Sequence, residues 1–213
     1  MTYNTYERIK YAMPKPSLRE KLLNAGFWVM YGKGYLGAGI RDIAAAADAP
    51  LGSFTNHFRS KEDFAVEILD RFFAETRELV GQALNDTSLS PRERLRRYLD
   101  IITERLESRG FAYGCIIGDF SLEAAPHSEK IRARLSEVFT EWRAPFAATI
   151  AEAQKVGEID KAFAPEELAE FLLSSWEGAI LRMKVERSAA PLERFKSIAF
   201  ATVFHTPPHK KKK

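Results

Sequence analysis

The sequence has a single cysteine, Cys115, so no intrachain disulfide can form and a cysteine-rich zinc site is excluded. Its uninterrupted apolar runs are only a handful of residues long, far short of a bilayer span. The N-terminal stretch lacks an apolar core followed by a small-residue cleavage site, so export by that route is not expected. Histidine is scarce: His57, His127, His205 and His209 show no HExxH-type spacing, and no nucleophile elbow is present. Neither a metal, a cofactor nor catalysis is therefore expected. No repeat of fixed length occurs. What is present is ordinary globular composition, 46% apolar and 29% charged, which suits a buried core and excludes a wholly disordered chain. These features together point to a cytoplasmic protein with no membrane association.

Charge of one sign is also lacking in sum, since the formal net charge is only +3. Its distribution is uneven. Residues 1–61 hold nine Lys/Arg against four Asp/Glu, whereas residues 62–209 hold nineteen against twenty-five. A basic segment on an acidic body implies that the two parts face different partners, and attraction to a polyanion needs only a basic face. Pro207-Pro208-His209 followed by Lys210 to Lys213 reads as a solvated basic tail, 207–213, without a role in the fold.

The hydrophobic pattern is helical throughout, so the expected fold class is all-α, with about nine helices. Leu18, Leu22, Ala25 and Val29 recur at helical spacing behind a capping box of Ser17 and Glu20, with Gly32 and Gly34 as the stop. Short helices are expected at about 40–47 and 50–57, joined by the turn Asp48-Ala49-Pro50. Ser60 can cap a long helix carrying Phe64, Ile68, Phe72 and Leu79. Pro91 opens a helix with Leu95, Leu99, Ile102 and Leu106. A short helix near 115–125 precedes a long one near 128–156, which Pro145 should kink or split. Pro165 and Pro191 open the last two. The charge changes sign near Lys61 without a flexible linker, so the helix starting there is expected to join the two parts rigidly.

Gly32-Lys33-Gly34-Tyr35-Leu36-Gly37 matches the GxGxxG outline of a dinucleotide-binding loop. Its context fails. A helical pattern precedes it, a short helix follows, and no second buried strand completes a βαβ unit.

Three short helices followed by a long one is the layout of a helix-turn-helix domain. The second helix of the pair would enter a major groove, which admits one helix and displays a distinct pattern for each base pair. In Pro50-Leu51-Gly52-Ser53-Phe54-Thr55-Asn56-His57-Phe58, Phe54 and Phe58 can anchor an inner face. Gly52, Ser53, Thr55, Asn56 and His57 remain for the outer one. Lys61 and the backbone N–H groups at the next helix start can hold a phosphate. The pattern alone also fits a small polar helix on an ordinary helical protein.

The blocks Leu18-Arg19-Glu20-Lys21-Leu22, Gly32-Lys33-Gly34-Tyr35, Ile40-Arg41-Asp42-Ile43-Ala44, Gly52-Ser53-Phe54, His57-Phe58 and Ser60-Lys61-Glu62 occur in order. Over about residues 17–70 the sequence resembles the DNA-binding domain of the TetR family of one-component repressors. Gly114-Cys115-Ile116-Ile117-Gly118 with Glu123, and Trp176-Glu177-Gly178-Ala179-Ile180-Leu181-Arg182 with Lys184 and Glu186, resemble that family's acrylate- and electrophile-responsive, AcuR- and NemR-like branch. The resemblance implies a DNA-binding domain over 15–70, with Arg41 among its contacts, and a ligand-binding and dimerisation domain over 71–206. It also implies a homodimer joined through the last two helices, a double-stranded DNA operator and a small-molecule inducer. The sequence departs from the family at Ala38-Gly39, where Thr-Ser or Thr-Thr is common. It departs again at Thr55, usually Tyr, and at Leu51, often Lys, so backbone-holding groups are lost or replaced there.

In the second half, Trp176, Ile180 and Met183 with Phe195, Ile198 and Thr202 form two apolar stripes for a four-helix interface or for the chain's own core. Phe111, Cys115, Phe120, Trp142 and Trp176 are candidate pocket walls. Cys115 is either an inert buried thiol or a sensor whose pKa a neighbour such as Lys184 lowers. The competing class is a helical small-molecule-binding protein or enzyme without a DNA role.

Overall fold

The computed structural model describes residues 16–206. The basic tail expected over 207–213 lies outside them. Among the described residues there are nine helices and no strand. They are α1 (Leu18–Gly37), α2 (Ile40–Ala46), α3 (Leu51–His57), α4 (Lys61–Leu84), α5 (Pro91–Glu107), α6 (Ile116–Glu123), α7 (Glu129–Lys155), α8 (Pro165–Glu186) and α9 (Ala190–Ala201). No helix among the described residues is long and apolar enough to cross a membrane.

Local chemistry sets the ends. Ser17, Ser60, Ser90 and Ser128 each accept the N–H three residues on, at the starts of α1, α4, α5 and α7. Pro91, Pro165 and Pro191 stand in the first turns of α5, α8 and α9, where a missing N–H costs nothing. At α2 no hydroxyl is available. Asp42 takes over, accepting the Gly39 N–H at 3.0 Å and lying 3.2 Å from Lys33 Nζ. Those two contacts, the backbone bond first, hold its carboxyl below the usual range.

The stop expected at Gly32 and Gly34 falls at Gly34 (φ 73°, ψ 175°), where the backbone leaves helical geometry, and a further short turn runs on to Gly37 beyond this kink. Glu123 of α6 holds that extra turn by accepting the Leu36 N–H at 3.1 Å. Pro145 does not split α7, which is continuous through it. The helix is gripped by α4, α5 and α8, which bury Trp142, Phe146 and Ile150, so packing outweighs one lost backbone bond.

α1, α2 and α3 pack on one another, and α1 also rests on α4 and α6. α4 leaves this cluster to pack against α5 and α7, α7 packs on α8, and α8 on α9. α6 touches α1, α4 and α7, so it lies between the N-terminal cluster and the rest.

Gly34 occupies backbone space that only glycine enters freely, and a Cβ there would meet Glu123 Oε1 at 2.3 Å. Gly34→Ala should lower stability by about 1–3 kcal/mol, read from the urea midpoint at unchanged slope; an unchanged midpoint would mean that the kink carries no strain.

Candidate functional site

α3 is short, and its orientation is set by aromatic packing. Phe54 and Phe58 are buried, with ring centroids 5.2 Å apart, and they lie 5.1 and 4.7 Å from Phe64 of α4. Arg19 stacks over Phe58 at 5.0 Å and pairs with Glu67 of α4 at 2.5 Å. The opposite face of α3 is open. Gly52, Thr55, Asn56 and His57 are exposed, as is Arg41 on α2. Nothing stands within 4 Å of where a Cβ on Gly52 would be. The Thr55 hydroxyl donates back to the Gly52 carbonyl at 3.0 Å.

Two of the expected contact residues are placed differently. Ser53 is buried on the inner side of α3 rather than on its outer face. Lys61 turns inward, its Nζ 4.5 Å above the Tyr35 ring, and burial lowers the pKa of its ammonium group. Arg59, which spacing alone did not single out, is exposed between α3 and α4.

A cavity of about 60 Å³ lies among α1, α4, α5, α7 and α8. Its walls include Phe27, Tyr31, Phe72, Tyr98, Trp142 and Trp176, and its polar rim holds Glu75, Arg105 and Arg109. Of the expected wall residues, Cys115, Trp142 and Trp176 line it. Phe111 and Phe120 do not. Phe111 sits at a left-handed bend (φ 55°) after α5, where its carbonyl accepts from Arg187 at 3.2 Å. Phe120 is fully buried on the other side of α6, against Tyr35 at 5.8 Å.

The rim is locally neutralised. Arg105 pairs with Glu75 at 3.3 Å. Arg109 stacks over Trp28 and Tyr31 at 5.5 and 5.8 Å and donates to the Tyr31 hydroxyl at 3.5 Å. Tyr31 in turn donates to the Gly114 carbonyl at 2.7 Å, just before α6, and burial pushes its phenol up to about 12.

Of the two readings of Cys115, the geometry favours the buried thiol over one activated by Lys184. Lys184 gives its ammonium to Asp119 at 3.0 Å instead. Burial, and then the neighbouring Glu177, push the Cys115 thiol well above its ordinary value. Sequence reasoning used Glu177 only as part of a resemblance, yet it is the ionisable group at the cavity floor. Among the described residues its Oε1 has no hydrogen-bond partner, nor have Trp142 Nε1 and Trp176 Nε1. Burial is the main cause raising its carboxyl to about 7, with Asp119 adding to it and the Cys115 side chain opposing it. No group of three or more His, Cys, Asp or Glu among the described residues is placed to hold a metal ion.

A carboxyl raised in the folded state costs stability only once it ionises: nothing below its unfolded value of 4.5, the full amount above about 7. Glu177→Gln should therefore melt higher than the parent at about pH 8 by on the order of 3 kcal/mol, with the gap closing by about pH 4. A gap that stays constant across this range would deny the buried carboxyl its cost.

The description "Bacterial regulatory proteins, tetR family" matches residues 22–68, and "Tetracyclin repressor-like, C-terminal domain" matches residues 91–199. The chain is 42% identical over 188 residues to the HTH-type transcriptional repressor DhaR of Mycobacterium sp. (strain GP1), covering 88% of this chain and 93% of that one. It is 36% identical over 183 residues to the transcriptional regulator AcuR of Cereibacter sphaeroides, covering 85% and 84%. The crystal structure of a regulatory protein TetR from Rhodobacter sphaeroides superposes with a TM-score of 0.81 at 35% identity, covering 85% of this chain and 96% of that one. With an exposed helix-turn-helix face at one end and a walled cavity at the other, the chain belongs to the TetR family of helix-turn-helix transcriptional regulators, DNA-binding proteins rather than enzymes.

Proposed function

We propose that this protein is a cytoplasmic homodimeric repressor that grips a palindromic operator and is released when a small molecule enters the cavity. The observation that carries the reading is α3, pinned by Phe54 and Phe58 while Gly52, Thr55, Asn56 and His57 face outward. Asn56 reads a base edge, for which an amide is well suited. Arg41, Arg59 and the backbone N–H groups at the start of α4 hold phosphates. Lys61 acts from inside, through Tyr35, rather than on the duplex. The N-terminal part over 15–70 is assigned to DNA and the part over 71–206 to ligand and partner.

The dimer would form through α8 and α9. Trp176, Ile180 and Met183 are buried within the subunit and so are not available to a partner. The outward face instead presents Phe171 and Ile198, 46% and 57% exposed, beside Gly178, where close helix approach is open. A two-fold dimer sets two recognition helices about 34 Å apart, one turn of duplex.

α6 supports a route from cavity to DNA. Its N-cap, Cys115, lines the cavity. Its last residue, Glu123, holds the kinked end of α1 by the Leu36 N–H. A ligand that displaces α6 would therefore move α1, and with it the packed α2 and α3. It must favour one arrangement over the other, since equal affinity shifts nothing.

Binding to the chain's own upstream region should fall about a thousandfold or more between about 50 and 200 mM salt, as phosphate neutralisation requires. Asn56→Ala should cost about 1–3 kcal/mol on the preferred site and little on random duplex. A salt-insensitive band shift, or equal losses on both duplexes, would refute the assignment of α3. Glu123→Ala should leave ligand binding intact and reduce the ligand's effect on DNA affinity several-fold, read by band shift with and without ligand; full release in the variant would place the coupling elsewhere.

A further inference from the structure

Resting on the reading of α3 as the helix that enters the major groove, we infer that Leu51 determines sequence specificity by packing on the C5-methyl group of one thymine in each half-site, while Asn56 reads a base at the opposite margin of the same face. The arrangement that carries this is an exposed leucine on a face whose middle offers no side-chain donor.

Helical geometry, about 100° per residue, orders the face. Ser53 and Phe54 form the buried side of α3. Gly52 and Thr55 stand opposite them, and Leu51 and Asn56 flank that middle about 140° apart. Leu51 is 48% exposed, whereas Phe54 and Phe58 are 1% and 3% exposed, so the fold takes its anchors from the two rings and leaves the leucine outside. Gly52 presents bare backbone with nothing within 4 Å of where a Cβ would stand, which lets a duplex come close beside Leu51. Thr55 is exposed, but its hydroxyl proton goes to the Gly52 carbonyl at 3.0 Å. Of these four residues, Asn56 alone offers a free side-chain donor.

The chemistry of the groove decides what such a face can tell apart. Donors and acceptors distinguish base pairs only where the protein supplies a polar partner, and the apolar feature that the bases display there is the thymine methyl. A leucine packed on that methyl removes apolar surface from water on both sides. Packed on the N4 amino group of cytosine, the same side chain would take a donor out of water and return no hydrogen bond, which costs affinity. Leu51 therefore selects thymine by contact and rejects cytosine by desolvation. A lysine at this position would hold a phosphate and add affinity without that discrimination.

The test starts from a pool of random duplexes, from which the full-length protein selects its preferred site. Each thymine of that site is then replaced in turn by deoxyuridine, which keeps the pairing and every donor and acceptor and removes only the methyl. Affinity is read by fluorescence anisotropy. One thymine per half-site should respond, with a loss of about fourfold for each half-site replaced, the worth of one buried methyl. Leu51→Ala should bind the thymine duplex more weakly and be indifferent to deoxyuridine at that position, while Asn56→Ala keeps the parent's response there. Leu51→Lys should gain affinity for random duplex and lose the preference for thymine. A deoxyuridine response that persists undiminished in Leu51→Ala overturns the inference and leaves the reading of α3 standing. So does the lack of any responsive thymine in a site whose selection depends on Asn56. A pool that yields no preferred site, or a preference that Asn56→Ala leaves unchanged, refutes the reading of α3 itself.

Discussion

The direction in which α3 presents its polar face depends on one ring. Phe64 is fully buried, edge-on to Phe58 at 4.7 Å and tilted against Phe54 at 5.1 Å. It also meets α1 at Gly26, where a Cβ would come within 2.3 Å of its Cζ. α1, α3 and α4 thus meet on a single aromatic side chain. Close-packed interiors relax poorly, so a small change in the angle between α1 and α4 is passed to α3 as a rigid rotation rather than absorbed. α4 carries Phe64 in its first turn and Phe73, Val80 and Leu84 further on, so the same helix reaches from α3 to the cavity.

A second constraint makes that rotation addressable. α6 is eight residues long and packs on α1, α4 and α7. One end borders the cavity, and the other is tied to α1 by Glu123, with Tyr35 edge-on to Phe120 and beneath Lys61. Net hydrogen bonds are worth about 1 kcal/mol each, and allosteric couplings run to about 1–3 kcal/mol. The Leu36–Glu123 and Tyr31–Gly114 bonds are therefore of the size that a coupling needs, without a large rearrangement of the core.

Much of this was legible in the sequence because local chemistry decides it. Serine caps, prolines in first turns and the i, i+4 pair Phe54 and Phe58 place helices and faces without reference to distant residues. What failed depends on contacts across the fold. The continuation of α1 past Gly34 needs Glu123, far along the chain. Lys61 reads as an outward cation until Tyr35 is placed beneath it. Phe120 and Trp142 look alike as wall candidates, and only the side of the helix that each shows to the cavity separates them. A signal for Glu177 was present and unused. Helical spacing sets it next to Leu173, Trp176 and Ile180, all buried, so a carboxylate intrudes on an apolar stripe.

That intrusion bears on why the cavity exists at all. A carboxyl buried without a cation destabilises the fold whenever it is charged, and filling the site with apolar side chains would remove the cost. Here two indole N–H groups on the cavity walls are also left without partners. Three unsatisfied polar atoms in one small volume are more than native interiors usually tolerate. An occupant that relieved this penalty would draw it into its own affinity, and Cys115, on the cavity wall and at the N-cap of α6, stands on the element whose other end, Glu123, holds α1.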